Sequence, residues 1–261
     1  MRSEHVQEHF QQAGYHVLEY PFFDNNAIPY VQVWHAKDRS FKMCCSVVGD
    51  WLFLDDRLAT TVHGVPEKTV LLSKFRSLLG EVMLGPYAAL TAHAMQGVDC
   101  SGKTVIDLGC GDGVLSLVAL KKGATHVIGV ASENKYSSLM RGHMLANNYS
   151  AEKYQFIQGN ICDEHITDEL PVHDIGVVVA NLGPHYGTVD VAAVRLLDHL
   201  PSCNFFVGGG YSLSNPQYRK SPFSAMHVKH MLREQGFTFF SDVREDSGDQ
   251  FHRLSFVARR F

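Results

Sequence analysis

The chain has 261 residues, of which 45% are hydrophobic and 19% are charged, and its formal net charge is -4. These values exclude a disordered or fibrous protein and leave room for one globular domain plus a segment of roughly 100 residues. Lys and Arg are scattered along the chain, which makes nucleic acid a weaker candidate as a partner. No run approaches the ~18 apolar residues of a membrane span, and the first residues lack the apolar core of a signal peptide.

The cysteines point to a reducing compartment. They form no CxxC pair, and several lie inside apolar runs where a thiol packs as a small hydrophobe. We therefore expect free thiols and a cytoplasmic protein. The six are Cys44, Cys45, Cys100, Cys110, Cys162 and Cys203.

Residues 1–84 are expected to form a smaller N-terminal α+β segment. Helices are predicted over residues 4–13 and 67–79, and strands over residues 30–36, 41–49 and 51–55. Aromatic residues alternate with polar ones in these strands, as in a small sheet packed on one face. The segment is a candidate for substrate recognition, and the alternatives are simple core packing, a lid and a dimer contact.

Residues 85–261 are expected to form a second, α/β domain. Pro86 suits a first helical position, so a helix is predicted over residues 86–97. Short β-branched runs then alternate with amphipathic helical ones, which predicts a parallel sheet with helices on both faces. The predicted strands are 104–108, 126–131, 154–159, 175–181 and 204–210, and the predicted helices are 113–123, 134–148, 189–200 and 224–237.

The last two strand-like runs flank a short polar turn, Asp246-Ser247-Gly248-Asp249. They cover residues 238–245 and 250–260, and two such runs predict a hairpin. The last strand should therefore run antiparallel to the others. The expected sheet has seven strands, six parallel and one antiparallel.

The stretch VIDLGCGDGVL, residues 105–115, places three glycines within five positions after an apolar run. A phosphate loop is excluded because no Lys-Ser or Lys-Thr follows the last glycine. The spacing GxGxG also differs from the dinucleotide fingerprint GxGxxG. Asp107 lies two residues before the first glycine, where a carboxylate would repel a pyrophosphate but attract an ammonium group. The remaining alternative is a tight strand-to-helix turn with no ligand.

The run TVIDLGCGDGVLSLVALKKGATHVIGV resembles the first two strands of a class I S-adenosylmethionine-dependent methyltransferase. Within that class, VIDLGCGDGVLSLVALKKGA, VVVANL and the REQGF tail before the hairpin resemble the family that methylates the ribosomal large-subunit stalk protein. The glycine loop also resembles that of protein arginine methyltransferases. The resemblance implies a Rossmann-like sheet, S-adenosylmethionine as cofactor and S-adenosylhomocysteine as product. The residues it assigns to the cofactor here are Asp107, Gly109, Cys110, Gly111 and Gly113.

The sequence departs from this class where an acid normally binds the ribose hydroxyls. That position is Ala131, and Glu133, two residues later, is the candidate replacement. Glu133 also suits the first turn of the following helix. For adenine, the resemblance assigns Asn160 or the backbone at Ile161, with a loop-capping Asn and a buried Ile as the alternative.

Asn181 ends the fourth strand of the predicted sheet, at the edge where open α/β sheets bind ligands. The run Asn181-Leu182-Gly183-Pro184-His185-Tyr186 partly resembles the Asn/Asp-Pro-Pro-Tyr/Phe sequence of amino-group methyltransferases. By that resemblance Asn181 holds the acceptor amine beside the cofactor. His185 is the candidate base and Tyr186 a residue that stacks on the substrate. The alternatives are a turn-forming Asn, a chance neighbour among fifteen histidines and a packing Tyr.

The other histidines, including His93, His126, His143, His227 and His230, have no acidic partner at metal-ligand spacing, so no metal is expected. Ser212 and Ser214 lack the GxSxG elbow of serine hydrolases. We expect an enzyme that transfers a methyl group to a nitrogen of a protein, with no membrane partner. The alternatives are a small-metabolite or RNA acceptor, and a cofactor-binding partner protein without catalysis; the oligomeric state is open.

Overall fold

The computed structural model describes residue 12 and residues 15–20, 30–35, 42–48, 51–55, 82–84, 88–182, 187–212, 222–246 and 252–261. Their strands form two sheets, one of five strands and one of seven. The five-stranded sheet precedes the seven-stranded sheet in the chain. None of the helices in these ranges is long and apolar enough to cross a membrane.

The five-stranded sheet consists of β1 (Tyr15–Tyr20), β2 (Tyr30–His35), β3 (Lys42–Val48), β4 (Trp51–Asp55) and β5 (Val82–Leu84). The strands pair in chain order, antiparallel except for the parallel pair β4 and β5. Strands β2, β3 and β4 coincide with predicted strands. Strands β1 and β5 were not predicted, because adjacent Val17 and Leu18 interrupt the alternation in β1 and β5 is only three residues long.

The two helices predicted within residues 1–84 fall almost entirely outside the described residues. Only Gln12, within the predicted helix 4–13, is described, and it is helical. The predicted helix over residues 67–79 lies wholly outside the described ranges. Both helices therefore stay predictions.

The second sheet consists of β6 (Thr104–Leu108), β7 (His126–Ala131), β8 (Tyr154–Gln158), β9 (Ile175–Ala180), β10 (Phe205–Ser212), β11 (Phe239–Asp246) and β12 (His252–Arg259). Its order is β11-β12-β10-β9-β6-β7-β8. Strand β12 is antiparallel to both neighbours, and the other six strands are parallel to one another. The predicted seven-stranded sheet, with six parallel strands and one antiparallel strand, is confirmed. The turn predicted between the last two strands lies outside the described residues.

Five α-helices accompany this sheet in the described ranges: α1 (Ala88–Ala94), α2 (Val114–Lys121), α3 (Lys135–Ala146), α4 (Gly187–Arg195) and α5 (Pro222–Glu234). Short 3-10 turns cover Met95–Gly97, Ala151–Lys153, Glu164–Glu169 and Leu196–His199. The predicted helices 86–97 and 189–200 are thus each an α-helix that tightens into a 3-10 turn at its end, as helix termini often do.

The core lies on both faces of the seven-stranded sheet. Side chains of α1, α2 and α3 pack in one buried cluster, and those of α4 and α5 pack in the other. Every residue of β9 is buried, as expected for a central parallel strand covered on both sides. Helix α1 packs against β10, β11 and β12 and also against β3 of the first sheet. This arrangement leaves the carboxyl ends of the parallel strands as the edge where the loops meet.

Candidate active site

The loops after β6, β7 and β8 are joined by backbone hydrogen bonds at the carboxyl edge of the sheet. The N–H groups of Gly109 and Cys110 both donate to the carbonyl of Val130, at 2.8 Å and 3.1 Å. The N–H group of Gly159 donates to the carbonyl of Ala131 at 3.0 Å. The predicted glycine loop, ribose loop and adenine loop therefore lie side by side.

The three glycines of the loop have positive φ angles, which side chains other than glycine rarely adopt. A Cβ on Gly109 would lie 2.7 Å from Leu182 Cδ2, and a Cβ on Gly113 would lie 2.6 Å from Met140 Cγ. At Gly111, by contrast, no heavy atom of the described residues lies within 4 Å of such a Cβ. Two glycines thus make room for the protein's own side chains, and Gly111 is the one that opens onto free space.

Asp107, at the end of the strand before the loop, is only 1% exposed. Its Oδ2 accepts a 2.7 Å hydrogen bond from Ser116 Oγ, and the backbone N–H of Ser116 also donates to the carboxylate. Its Oδ1 is buried and has no hydrogen-bond partner among the described residues. Burial raises the pKa of Asp107 to about 6; the Ser116 hydrogen bonds oppose that rise and the Asp112 charge adds to it. The carboxylate braces the first turn of α2 through Oδ2, while Oδ1 makes no hydrogen bond to the described residues.

The side chain of Cys110 is buried inside the loop, at 7% exposure. A Cβ on Gly129 would lie 2.8 Å from its Sγ, so the thiol fills the space that this glycine leaves. Burial raises the pKa of the Cys110 thiol well above its usual value, so the thiol stays protonated and unreactive. What Cys110 offers a ligand is therefore its backbone.

Ala131 is buried at the end of β7, and Glu133 lies exposed just beyond it. Glu133 Oε2 forms an ion pair with Lys135 Nζ at 2.5 Å, and this ammonium also lies 5.0 Å from the centre of the Tyr136 ring. The Glu133 side chain is 56% exposed, and an ion pair this open to water is weak. The Glu133 carboxylate is therefore only weakly held by Lys135.

Asn160 and Ile161 follow β8 next to the ribose loop. Asn160 Oδ1 accepts from the N–H of Cys162 at 3.0 Å, and the Asn160 carbonyl accepts from Asp163 N–H at 2.8 Å. The side-chain oxygen of Asn160 therefore shapes its own turn. Ile161 is 9% exposed. Together with Ile166 it lines a cavity of about 610 Å³, and no residue of the glycine loop lines this cavity. The cavity that Ile161 lines is therefore separate from the glycine loop.

Asn181 directly follows β9, and its side chain meets two residues that the sequence analysis missed. Thr91 Oγ1 donates to Asn181 Oδ1 at 3.0 Å and lies 3.0 Å from Ser255 Oγ. Thr91 and Ser255 are fully buried polar residues. The three glycines at residues 208–210 were the one sequence signal, since a Cβ on Gly209 would lie 2.1 Å from Thr91 Oγ1.

His185 and Tyr186 lie outside the described residues, as do Gly183 and Pro184. Their predicted roles as base and stacking residue stay predictions. Within the described ranges, no group of three or more His, Cys, Asp or Glu side chains is arranged to hold a metal ion.

Comparison with known proteins agrees with this geometry. Residues 86–183 match the model of the ribosomal protein L11 methyltransferase (PrmA) family. The chain is 35% identical over 120 residues to the ribosomal protein L11 methyltransferase of Vibrio campbellii, a match covering 43% of this chain and 40% of that protein. It is 53% identical over 97 residues to the one of Alteromonas mediterranea, covering 37% and 30%. The chain thus matches less than half the length of these relatives.

Two solved structures share the fold. The ribosomal protein L11 methylase of Lactobacillus delbrueckii subsp. bulgaricus has a TM-score of 0.53 and 14% identity, covering 82% of this chain and 96% of that one. An rRNA methylase of Streptococcus thermophilus has a TM-score of 0.50 and 9% identity, covering 69% and 99%. The resemblance predicted from the glycine loop is therefore confirmed: the chain has the Rossmann-like methyltransferase fold, and over residues 86–183 it matches the ribosomal protein L11 methyltransferase family.

Proposed function

We propose that this chain is an S-adenosylmethionine-dependent methyltransferase that methylates a nitrogen of a protein, and that ribosomal protein L11 is the first acceptor to test. The observation that carries this proposal is the match of residues 86–183 to the L11 methyltransferase family, which spans the glycine loop and Asn181. The identity of the acceptor follows only from the names of the relatives.

The residues at the carboxyl edge fit the parts of this cofactor. Gly111 gives a ligand access to the loop backbone, and the buried Oδ1 of Asp107 is an acceptor for an ammonium group. We assign the ribose hydroxyls to Glu133, whose exposed carboxylate would leave Lys135 to bind them, and the adenine to Asn160 and the Ile161 backbone. When bound, the cofactor supplies a methyl group on a sulfonium sulfur, which is already activated toward nucleophiles.

The chain's own contribution is then mainly alignment, which alone is worth large effective molarities, on the order of 10⁵ M. Asn181 Oδ1 accepts from the target amine and holds its nitrogen beside the cofactor. A protonated amine has no lone pair, so a base must take its proton before transfer. We assign that base to His185 and a stacking role to Tyr186, because both follow Asn181 closely in the chain.

We propose that the protein acts in the cytoplasm and that its reaction needs no metal ion. The free, buried thiols of Cys100, Cys110 and Cys203 support a reducing compartment. The missing acid at Ala131 is the one feature that favours a different function, a protein that binds the cofactor without transferring its methyl group.

The test is a labelling assay with methyl-labelled S-adenosylmethionine. The purified protein is incubated with L11 and, separately, with cell extract split into protein, RNA and small-molecule fractions. Cofactor binding is measured in parallel by calorimetry. Asp107→Ala is the control, because it removes the carboxylate and should abolish binding.

Label in L11 supports the proposal in full, and label in another protein supports protein methylation but replaces the acceptor. Label only in RNA or metabolites overturns the protein acceptor. Cofactor binding without label in any fraction overturns the enzyme and favours the silent partner. Normal cofactor binding by Asp107→Ala overturns the assignment of the loop itself.

A further inference from the structure

We propose that Thr91 is a positioning residue that fixes the side-chain amide of Asn181 in one orientation, through a series of hydrogen bonds that begins at Ser255. The inference rests on the proposed function, because the task of Asn181 is to receive the methyl acceptor. Neither Thr91 nor Ser255 belongs to the loops at the carboxyl edge, and both lie beneath Asn181 in the core.

The three side chains come from distant parts of the chain. Thr91 lies in α1, Asn181 follows β9, and Ser255 lies in β12, so the two hydrogen bonds join residues 90 and 164 positions apart. Thr91 and Ser255 are each 0% exposed. Buried hydroxyls need hydrogen-bond partners, because a polar group left unsatisfied in the core lowers the stability by on the order of 1–3 kcal/mol. This burial holds the series together without help from solvent.

The protons of the series have one consistent arrangement. A hydroxyl has a single proton, and Thr91 uses its proton on Asn181 Oδ1. The contact between Thr91 and Ser255 therefore requires Ser255 to donate to Thr91. Donation runs from Ser255 through Thr91 to the amide oxygen, which keeps the Asn181 amide nitrogen turned away from Thr91.

Gly209 leaves the space in which this series forms. A Cβ at this position would lie 2.1 Å from Thr91 Oγ1, 2.6 Å from Asn181 Oδ1 and 3.2 Å from Ser255 Oγ. The register between β10 and β12 also shifts between Gly208 and Tyr211, where three steps along β10 match two along β12. Such a bulge re-aims the backbone next to a site. The glycine and the bulge bring all three polar side chains within reach of one another.

The orientation of the amide decides whether Asn181 can receive an amine. The carbonyl oxygen is the only acceptor of the side-chain amide, so an incoming N–H is received only where Asn181 presents Oδ1 and not its NH₂ group. A rotated amide would present its own N–H groups to the amine, donor against donor. Helix α1, which carries Thr91, also packs against β3 of the first sheet, so this support lies between the two sheets.

The matched variants are Thr91→Val, which keeps the shape but removes the hydroxyl, and Thr91→Ser, which keeps the hydroxyl. With methyl-labelled cofactor and L11, Thr91→Val should lower kcat roughly 10-fold to 100-fold, the range expected for one lost buried hydrogen bond. The dissociation constant of the cofactor should stay as in the wild type. Thr91→Ser should restore most of the rate, which a merely structural role for the Thr91 methyl group would not allow.

A second readout does not depend on activity. The side-chain amide of Asn181 is followed by NMR in the free protein, its signals assigned by their loss in Asn181→Ser. Thr91→Val should move both amide proton shifts and speed their exchange with water, and Thr91→Ser should not. If Thr91→Val fails to fold, Ser255→Ala should give the same change to a smaller extent.

Unchanged Asn181 shifts in Thr91→Val, or in Ser255→Ala where it stands in, overturn the inference. A wild-type rate in Thr91→Val overturns it as well. If the wild-type protein labels no acceptor but the shifts move as expected, the proposed function fails and the positioning of Asn181 stands.

Discussion

The hydroxyl of Ser116 donates a 2.7 Å hydrogen bond to Asp107 Oδ2 and so ties the first turn of α2 to the strand before the glycine loop. The carboxylate takes the place of a helix cap, because the N-terminal flanking residue of α2 is Gly113, which has no side chain to offer. The loop is thus held at both ends, by Asp107 on one side and by the two hydrogen bonds to Val130 on the other.

The stability of the free protein should fall as the pH rises through the pKa of Asp107. Burial raises this pKa from 3.8 to about 6, so between these values the folded state binds more protons than the unfolded state. The stabilisation is fully present below pH 3.8 and is lost as the pH rises through 6, a change of about 3 kcal/mol at most. Urea unfolding between pH 4 and 7.5 measures it.

Two variants identify the group responsible for this slope. Asp107→Asn cannot ionise and should flatten the slope in that window. Ser116→Ala removes a donor to the carboxylate and should cost more stability at pH 7 than at pH 4. A slope that survives in Asp107→Asn would assign the pH dependence to other groups.

Cofactor affinity should have the opposite pH dependence. A cationic ammonium group binds the ionised form of Asp107, so affinity should weaken as the pH falls below about 6. Calorimetry at pH 5 and pH 7.5 in two buffers measures both the affinity and the protons released. If affinity is the same at both pH values, Asp107 does not contact the ammonium group.

The three loop glycines should separate into packing and binding positions. All have positive φ, so each substitution by Ala costs roughly 1–2 kcal/mol of stability. Gly113→Ala should cost most, because its Cβ would lie 2.6 Å from Met140 Cγ and 3.1 Å from Met140 Cβ. Gly109→Ala meets only the flexible end of Leu182. Gly111→Ala should cost least in unfolding and most in cofactor affinity; equal affinity losses in all three would contradict this division.

Glu133 should carry the ribose contact that Ala131 lacks. Glu133→Gln should weaken cofactor binding about 5-fold to 150-fold, the effect of losing hydrogen bonds of about 1–3 kcal/mol. Lys135→Ala releases Glu133 from its ion pair and should leave affinity unchanged or improve it. Ala131→Asp restores the acid of the class and should tighten binding. Wild-type affinity in Glu133→Gln would leave Glu133 as an exposed residue just before α3 whose role is the ion pair with Lys135.

Most of the second sheet could be predicted because its elements are set by local patterns. A β-branched run such as residues 175–180 is buried on both faces, and a helix such as α2 follows a glycine directly. Strand β1 was missed because its apolar residues do not alternate, and β5 because three residues carry no period. Each of these sequence patterns depends only on residues close together in the chain, so each element is predicted or missed independently of the others.

The site was harder to predict, because its decisive contacts join distant residues. The sequence shows that the loop needs glycines, but not that Leu182 and Met140 occupy the space beside two of them. Asp107 was predicted from its place before the glycines, but the sequence does not show that Ser116, nine residues later, donates to its buried carboxylate. Thr91 itself carries no sequence signal, since a single Thr in an apolar helix is as consistent with packing as with a polar contact; the glycines at residues 208–210 indicate a close approach but do not name its partner.

Gly209 should tolerate no side chain. Its φ lies outside the left-handed region, so space rather than backbone strain sets the limit. A Cβ would lie 2.1 Å from the Oγ1 atom of Thr91, a fully buried residue. Gly209→Ala should lower the free energy of unfolding by about 1–3 kcal/mol, as overpacking does. Adding Thr91→Ala should recover part of that loss, because it removes the closest atom.

Gly97→Ala is the control for this prediction. A Cβ at Gly97 meets no described atom within 4 Å, so this substitution should change the free energy of unfolding by less than about 0.5 kcal/mol. Urea unfolding of the three variants checks the order, and a Gly209→Ala protein as stable as Gly97→Ala would show that the polar cluster beneath Asn181 is looser than these distances indicate.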